Sequence, residues 1–457
     1  MNTGLNLPAP PLTPAPSEDL VRTNGRRLIA ALRSDPALSV ARLNAMAVGR
    51  VASDPDLRAA LFRLVDVTPM CRDLSDISTH LTALLGEIEE PTRSVRLIRG
   101  AALRPALSRT AGFFARAGVR GMASRFIAGA DAESALDELS DLWKRGVAST
   151  MDLLGEATVT ETEADTYLER CEHTMRVLAG KMAGWQAQPH LETDRHGFVP
   201  RTNLSVKISA MTPNARPDSP GRGVAGASDR LRHLLRVARD LQVHLHVDME
   251  SLDLRETVTE LVFDLLAEPE FADGPSAGMV LQGYLQDSPE ELEKWLGWQA
   301  AAGRSVPLSV RLVKGAYWDH EVVEAGQAGW PAPVFTDRAT CDRNFELLTR
   351  RLLASTDLVR PAIASHNLRS IAHAMAAAET IAGGHDAVEF QVLRGLGDDI
   401  QDALSDLGFR VRTYSPIGDL VAGMAYLVRR LLENTSNDSF LVARAGTENL
   451  DSLLVAP

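Results

Sequence analysis

Leu308-Ser-Val-Arg-Leu-Val-Lys-Gly-Ala-Tyr-Trp-Asp319 opens as a β-strand and then stops being one. Side chains alternate across a strand, so Leu308, Val310 and Leu312 share one face while Ser309, Arg311 and Val313 share the other. At Lys314, Gly315 and Ala316 the alternation breaks. A glycine there permits a close approach of the backbone to a ligand, and two large aromatics, Tyr317 and Trp318, follow at once. A cation on a strand, a permissive turn and an aromatic pair describe the lip of a pocket for something flat and anionic.

Working outward, the same texture recurs in short β-rich runs separated by helical stretches: Ala148 to Leu154, Leu204 to Ser209, Val243 to Met249, Met279 to Tyr284, Ala362 to His366, Ala387 to Leu393 and Phe409 to Tyr414. With the opening stretch these make eight strands alternating with helices, the plan of a (β/α)8 TIM barrel, with a doubly wound open sheet as the competing arrangement. We expect the barrel. Alternation turns Val243, Leu245 and Val247 towards the helices and His244, His246 and Asp248 inward. It likewise opposes Leu204, Val206 and Ile208 to Ser205, Lys207 and Ser209, and Val388, Phe390 and Val392 to Glu389, Gln391 and Leu393. A polar barrel interior is costly unless its groups pair or serve a site, and barrel sites form at the C-terminal strand ends. Lys207, Asp248, Gln282, Arg311, His366 and Tyr414 all fall near those ends.

Before the barrel, residues 1–17 are proline-rich and expected to be disordered. Residues 18–145 read as helix after helix, with examples at Glu18 to Arg33, Asp56 to Val65 and Ala132 to Arg145, and form an expected helical arm and α-domain. The barrel domain is expected over 146–445. In the 457-residue chain no apolar run approaches the ~18 residues that cross a bilayer, and no secretion signal opens it, which reads as cytoplasmic. Cys71, Cys171 and Cys341 are distant and odd in number, which suits reduced packing thiols. The net charge of −12 argues against a nucleic-acid partner, since phosphate binding needs clustered Lys and Arg. One stretch departs from this balance: Pro91 to Ala130 has eight arginines and no acid, either solvated and ion-paired helix faces or a surface attracted to anionic membrane.

Gly221, Gly223 and Gly226 match the dinucleotide fingerprint, but they are read as part of a loop with Pro213, Pro217 and Pro220, without the strand that motif requires. His244 and His246 form an H-x-H pair used for metals in barrel hydrolases, though they precede the strand's C-terminal end and no second ligand cluster is evident beyond His366 and Asp248. Lys207 or Lys314 could serve as a Schiff-base lysine, yet lysines at barrel mouths more often bind phosphates or carboxylates. After the last strand a helix is expected over Asp419 to Asn434. Its Tyr426, Arg429, Arg430 and Glu433 lie opposite an apolar stripe; Arg429 and Glu433 stand at pairing distance, while two adjacent arginines could fork onto a carboxylate.

Arg-Leu-Val-Lys-Gly-Ala-Tyr-Trp-Asp at 311–319 and Tyr-Leu-Val-Arg-Arg-Leu-Leu-Glu-Asn at 426–434 resemble the flavin-dependent proline dehydrogenase family. The resemblance runs on through Leu-Gly-Glu-Ala at 154–157, Ser-Val-Lys-Ile-Ser at 205–209, Val-Asp-Met-Glu at 247–250, Ser-His-Asn at 365–367 and Glu-Phe-Gln at 389–391. The helical section, including Leu61 to Met70, is similar to the arm and α-domain of proline utilization A. The chain departs from the family pattern at Ser365, where threonine is usual, at Arg394-Gly395-Leu396-Gly397, where His-Gly-Met-Gly is usual, and at Arg338, commonly lysine.

The resemblance implies a distorted (β/α)8 barrel that binds FAD without a Rossmann fold, oxidises L-proline to Δ1-pyrroline-5-carboxylate and reduces a membrane quinone, with peripheral contact at the inner membrane face. It makes Asp248 and Arg311 catalytic, Arg311 beside the flavin. Met249, Gln282, Val313, Lys314, Gly315, Ala316, Trp318, Ser365, His366 and Glu433 would contact FAD, with Thr336 and Arg338 towards its adenosine end. Lys207, Arg429 and Arg430 would bind the substrate carboxylate; Tyr317, Leu393 and Tyr414 would pack on the proline ring, with Glu156 paired to the arginines. No metal is implied. The chain has no room for the aldehyde dehydrogenase half, so pyrroline-5-carboxylate/glutamate-semialdehyde dehydrogenase is an expected separate or missing partner, and 446–457 is read as a tail or the start of a linker.

Overall fold

The computed structural model describes residues 13–32, 55–89, 91–155, 158–216, 219–419, 423 and 450–457. Eight strands close into a barrel: β1 (Ala148–Leu153), β2 (Asn203–Val206), β3 (His244–Val247), β4 (Ala277–Gln282), β5 (Leu308–Val313), β6 (Val359–Ala364), β7 (Glu389–Leu393) and β8 (Arg410–Ile417). Every neighbouring pair is parallel, and β1 closes the ring against β8 and β2. The barrel is therefore the correct choice over the open sheet. All eight predicted strands are present, with ends shifted by a few residues.

The helices that return the chain between strands start where the sequence supplies caps. Thr160 and Glu163 form a reciprocal capping box, and Asp337 and Asn367 accept the Thr340 and Ser370 backbone N–H groups. One expectation fails here. Gly221, Gly223 and Gly226 lie not in a loop but in the first turns of helix Pro220–Asp240. Proline suits a helix start because its missing N–H would have had no partner there. The glycines serve packing: a Cβ on Gly223 would come 2.8 Å from the Asn214 carbonyl oxygen.

The main core lies between the strands and the surrounding helices, and α1 (Glu18–Leu32) belongs to it through Val21, Leu28, Ile29 and Leu32. Helices α2 (Pro55–Val67), α3 (Leu74–Gly86), α4 (Arg93–Ala102) and α5 (Pro105–Phe126) bury a separate cluster containing Leu64, Leu81, Leu84, Leu85 and Val95. Hydrophobic burial thus groups the first helix of the predicted arm with the barrel. Arg369 fastens it, donating to Glu18 at 2.6 Å and to Glu346 at 2.7 Å. Residues 450–454, read as the start of a linker, form a short 3-10 helix whose Leu454 carbonyl accepts from Arg369, and Leu454 packs where Gly25 of α1 lacks a side chain. Cys71, Cys171 and Cys341 are all free thiols, and burial pushes Cys171 up to about 12. Among the described residues no helix is long and apolar enough to cross a membrane.

Candidate active site

The strand ends place a bonded group of charges at the C-terminal mouth. Arg311 projects inward from β5 and is 4% exposed. Its Nη1 donates to Asp248 Oδ1 at 2.6 Å, its Nε to Gln391 Oε1 at 2.6 Å and its Nη2 to Ser205 Oγ at 3.3 Å. Asp248 follows β3, where its N–H donates to Val206 at 2.9 Å. Its second oxygen accepts the Tyr414 hydroxyl at 2.6 Å, and the Arg311 guanidinium lies 5.3 Å from the centre of the Tyr414 ring. Lys207, just past β2, donates to Asp152 Oδ1 at 2.5 Å and lies 3.8 Å from Asp248 Oδ2.

These contacts explain the titration of the group. Burial pushes the Asp152 carboxyl up, the Lys207 charge pulls it back, and Asp248 raises it further. Burial and the neighbouring carboxylates hold the Tyr414 hydroxyl well above its ordinary value, so it stays a donor. The two salt-bridged lysines do not suit Schiff-base chemistry: Lys207 is held by Asp152 and Lys314 by Asp342, and paired ammonium groups are poor nucleophiles. The H-x-H pair is also accounted for. His244 sits at the start of β3, bonded through Nε2 to His246 at 3.2 Å and through Nδ1 to Ser276 at 2.8 Å. Burial pushes His244 down to about 3, which keeps it neutral.

The wall around the charges comes from the ends of β7, β6, β4 and β3. Leu393 of β7 pairs in register with Tyr414 of β8, so the two stand side by side. His366, after β6, accepts the Leu393 N–H on Nε2 at 2.9 Å, which leaves the ring proton on Nδ1. Ser365 Oγ accepts the Asn367 N–H at 3.1 Å. Met249 is buried, and Gln282 at the end of β4 donates its amide to the Glu250 carbonyl at 2.8 Å.

The lip predicted from the sequence forms after β5. Gly315 adopts φ of +133°, a region that disfavours side chains. The group it makes room for is the Tyr284 ring, whose edge a Cβ at Gly315 would overlap, with Cγ at 2.6 Å, rather than only a ligand. Val313, Lys314 and Tyr317 are half-buried and Ala316 exposed; Trp318, 40% exposed, donates its indole N–H to Phe335 at 3.0 Å. Thr336 and Arg338 lie exposed beside it, Arg338 3.9 Å from Asp342. Glu156, Arg429, Arg430 and Glu433, with all of the helix expected over 419–434 except Asp419 and Gly423, lie outside the described residues.

Sequence reasoning missed two partners of the predicted residues. Asp152 sits in β1, and an acid inside an otherwise uncharged strand was the available signal. Alternation puts Gln391 on the inward face of β7, yet its role of holding Arg311 depends on a contact across the barrel that no local pattern shows. A flavin suits the residues present: its ring system offers one imide N–H and two carbonyl oxygens. Gln282 Oε1 is buried without a partner among the described residues, an open acceptor, while Arg311 and Lys314 are cations at the same mouth.

Residues 135–443 match the family described as proline dehydrogenase, and residues 18–126 match the proline utilization A N-terminal domain. Bifunctional protein PutA of Escherichia coli (strain K12) is 30% identical over 392 residues, which cover 83% of this chain and 28% of that protein. Proline dehydrogenase 1 of Bacillus subtilis (strain 168) is 26% identical over 330 residues, covering 72% and 92% respectively. The crystal structure of proline utilization A from Bdellovibrio bacteriovorus, inactivated by N-propargylglycine, superposes with a TM-score of 0.84 at 33% identity, over 96% of this chain and 44% of that one. The chain therefore spans less than half the length of the bifunctional relatives it matches. With the family match extending over the whole barrel, this chain belongs to the proline dehydrogenase family.

Proposed function

We propose that the chain oxidises L-proline to Δ1-pyrroline-5-carboxylate with FAD as its cofactor and a quinone as the final electron acceptor. The observation that carries this reading is the single bonded group of Lys207, Asp152, Asp248, Arg311 and Tyr414 at the C-terminal barrel mouth. Lys207 binds the substrate carboxylate, aided by Arg429 and Arg430. Tyr414, Leu393 and Tyr317 hold the ring flat, so that the hydrogen on C5 points at one place and water is excluded. Asp248, fixed by two hydrogen bonds, and Arg311 supply the charge environment around the reacting carbon and nitrogen. When bound at this mouth, FAD would supply the hydride-accepting chemistry. Gln282, His366, Ser365, Met249 and Lys314 hold it, with Trp318, Thr336 and Arg338 towards its far end.

A quinone resides in a membrane, and the arm offers a surface for peripheral contact. Leu97, Ile98, Leu103, Phe113 and Phe114 are exposed among the arginines of α4 and α5. Apolar side chains set among cations suit an anionic bilayer surface. The product then passes to a pyrroline-5-carboxylate/glutamate-semialdehyde dehydrogenase activity. The test is the visible spectrum of the purified protein reconstituted with FAD, before and after anaerobic addition of L-proline. Bleaching of the flavin bands is the expected result; bands that persist in excess proline refute the reading.

A further inference from the structure

At the opposite end of the barrel lies a cavity that the chemistry above does not use. It is bounded by the first residues of the strands, among them Asn203 of β2, Ser309 of β5, Arg360 of β6 and Arg410 of β8, and is covered by Arg195 and His196 from a hairpin of Thr193–Asp194 and Gly197–Phe198. Its volume is about 40 Å³. That is room for roughly three waters or one small polyatomic ion, at about 10–15 Å³ for each water.

The charges around it are unevenly paired. Four arginines, Arg195, Arg360, Arg410 and Arg412, face three carboxylates, Asp194, Asp386 and Glu389, a surplus of one positive charge. Arg360 donates to Asp194 at 2.8 Å and Arg412 to Glu389 at 2.8 Å, so these two are directly neutralised. The other two meet their carboxylates only at longer range, without a hydrogen bond to them. Among the described residues Arg410, 7% exposed, donates only to the carbonyls of His190 and Thr193, with Asp194 at 3.8 Å. Arg195 donates to Thr356 Oγ1 and the Ala382 carbonyl, again with its carboxylate, Asp386, at 3.8 Å. Asn203, 4% exposed, lines the same space, and its buried Oδ1 has no hydrogen-bond partner among the described residues. A buried cation bonded only to neutral acceptors, beside an unpartnered amide, is costly unless something supplies the missing charge and donor.

We propose that the N-terminal mouth of the barrel binds a small oxyanion, phosphate or carboxylate, between Arg195, Arg410 and Asn203. The anion offsets the surplus charge by accepting from the two guanidinium groups. A protonated phosphate oxygen donates to Asn203 Oδ1, whereas for a carboxylate the amide turns to present its N–H groups.

The site stands about 13 Å from the catalytic mouth, by the strand rise from Glu389 to Leu393. Its occupancy can therefore be measured without turnover. Inorganic phosphate and, separately, acetate are titrated calorimetrically into the full chain against sodium chloride of matched ionic strength. Saturable one-to-one binding of either is expected, and which one binds identifies the anion class. Asn203→Asp keeps the side-chain shape while adding a like charge, and is expected to weaken binding at least tenfold. Arg195→Gln, at a position on the covering hairpin that tolerates change better, is expected to do the same and serves if Asn203→Asp does not fold. No saturable heat beyond that of chloride, or equal affinity in the parent and both variants, overturns the proposal.

Discussion

Replacing Asp152 with asparagine tests whether the lysine at the catalytic mouth is held from below. Lys207 Nζ lies 2.5 Å from Asp152 Oδ1, and the two side chains are 10% and 2% exposed. At an effective dielectric of about 20 that separation corresponds to roughly 7 kcal/mol of attraction before desolvation is subtracted. Removing one member of such a pair typically costs about 3–5 kcal/mol, because the remaining charge stays buried. Asp248, 3.8 Å from Lys207, still compensates part of the charge, which places Asp152→Asn near the lower end. Lys207→Met leaves an acid that burial already pushes up. It escapes by taking a proton, so this variant loses less stability at pH 5 than at pH 8. With both changes neither charge is orphaned, and the double-mutant cycle should return a coupling of about 2–3 kcal/mol. Urea unfolding of the four proteins measures the cycle, and dye-linked proline oxidation supplies a separate readout. Lys207→Met should raise KM at least tenfold; Asp152→Asn should raise it a few-fold as the lysine swings towards Asp248, with kcat changing less. Stabilities additive within about 0.5 kcal/mol, together with an unchanged KM in both single variants, would refute the reasoning.

Tyr414→Phe deletes the 2.6 Å hydrogen bond to Asp248 but keeps the ring. Hydrogen bonds to charged groups are worth about 1.5–3 kcal/mol, so kcat/KM for proline should fall roughly 10- to 100-fold, and an unchanged value would show that Arg311 alone positions Asp248. Gly315→Ala forces a side chain into φ of +133° and into the Tyr284 ring. It should destabilise by about 2 kcal/mol or more, read as a lowered thermal midpoint. Buried neutral His244, held down at about 3 against an unfolded value of 6.5, takes up its proton only on unfolding across that window. Stability therefore falls as pH drops below 6.5, by roughly 2 kcal/mol for this residue at pH 5. His244→Gln should flatten the fall in urea midpoint between pH 7 and pH 5; an equal fall in parent and variant would exclude the assignment.

The periodicity of the chain made the barrel legible because a parallel strand buried on both faces must carry its apolar residues in short runs. For the same reason inward polar residues stood out: Lys207, Asp248 and Arg311 interrupt those runs. What the sequence could not display is pairing across the barrel. Asp152 and Lys207 are 55 positions apart, and Arg311 and Gln391 are 80 apart. Helix starts were read less well than strands. The prolines at 213, 217 and 220 read as a loop that holds the three glycines, whereas Pro220 starts a helix and Gly223 packs against the Asn214 carbonyl there despite the low helix propensity of glycine.

The polar barrel interior has a directional logic. Arg412 from β8 donates to Glu389, which also accepts from the Gln391 amide at 2.7 Å; the other end of that amide accepts from Arg311, which in turn holds Asp248. Each amide end has one use, so the Gln391 side chain cannot turn over without losing both bonds. Arg311 is thereby fixed in direction from beneath as well as by Asp248 above. Aliphatic residues would fill this space at less desolvation cost, but they would leave the guanidinium free to choose among rotamers. The buried ion pairs thus exchange some stability for a fixed cation at the catalytic mouth. Gln391→Leu removes the link while keeping bulk, and should lower kcat/KM about tenfold with little change in the unfolding midpoint. A large loss of stability with unchanged kinetics would instead make the chain of bonds a packing device.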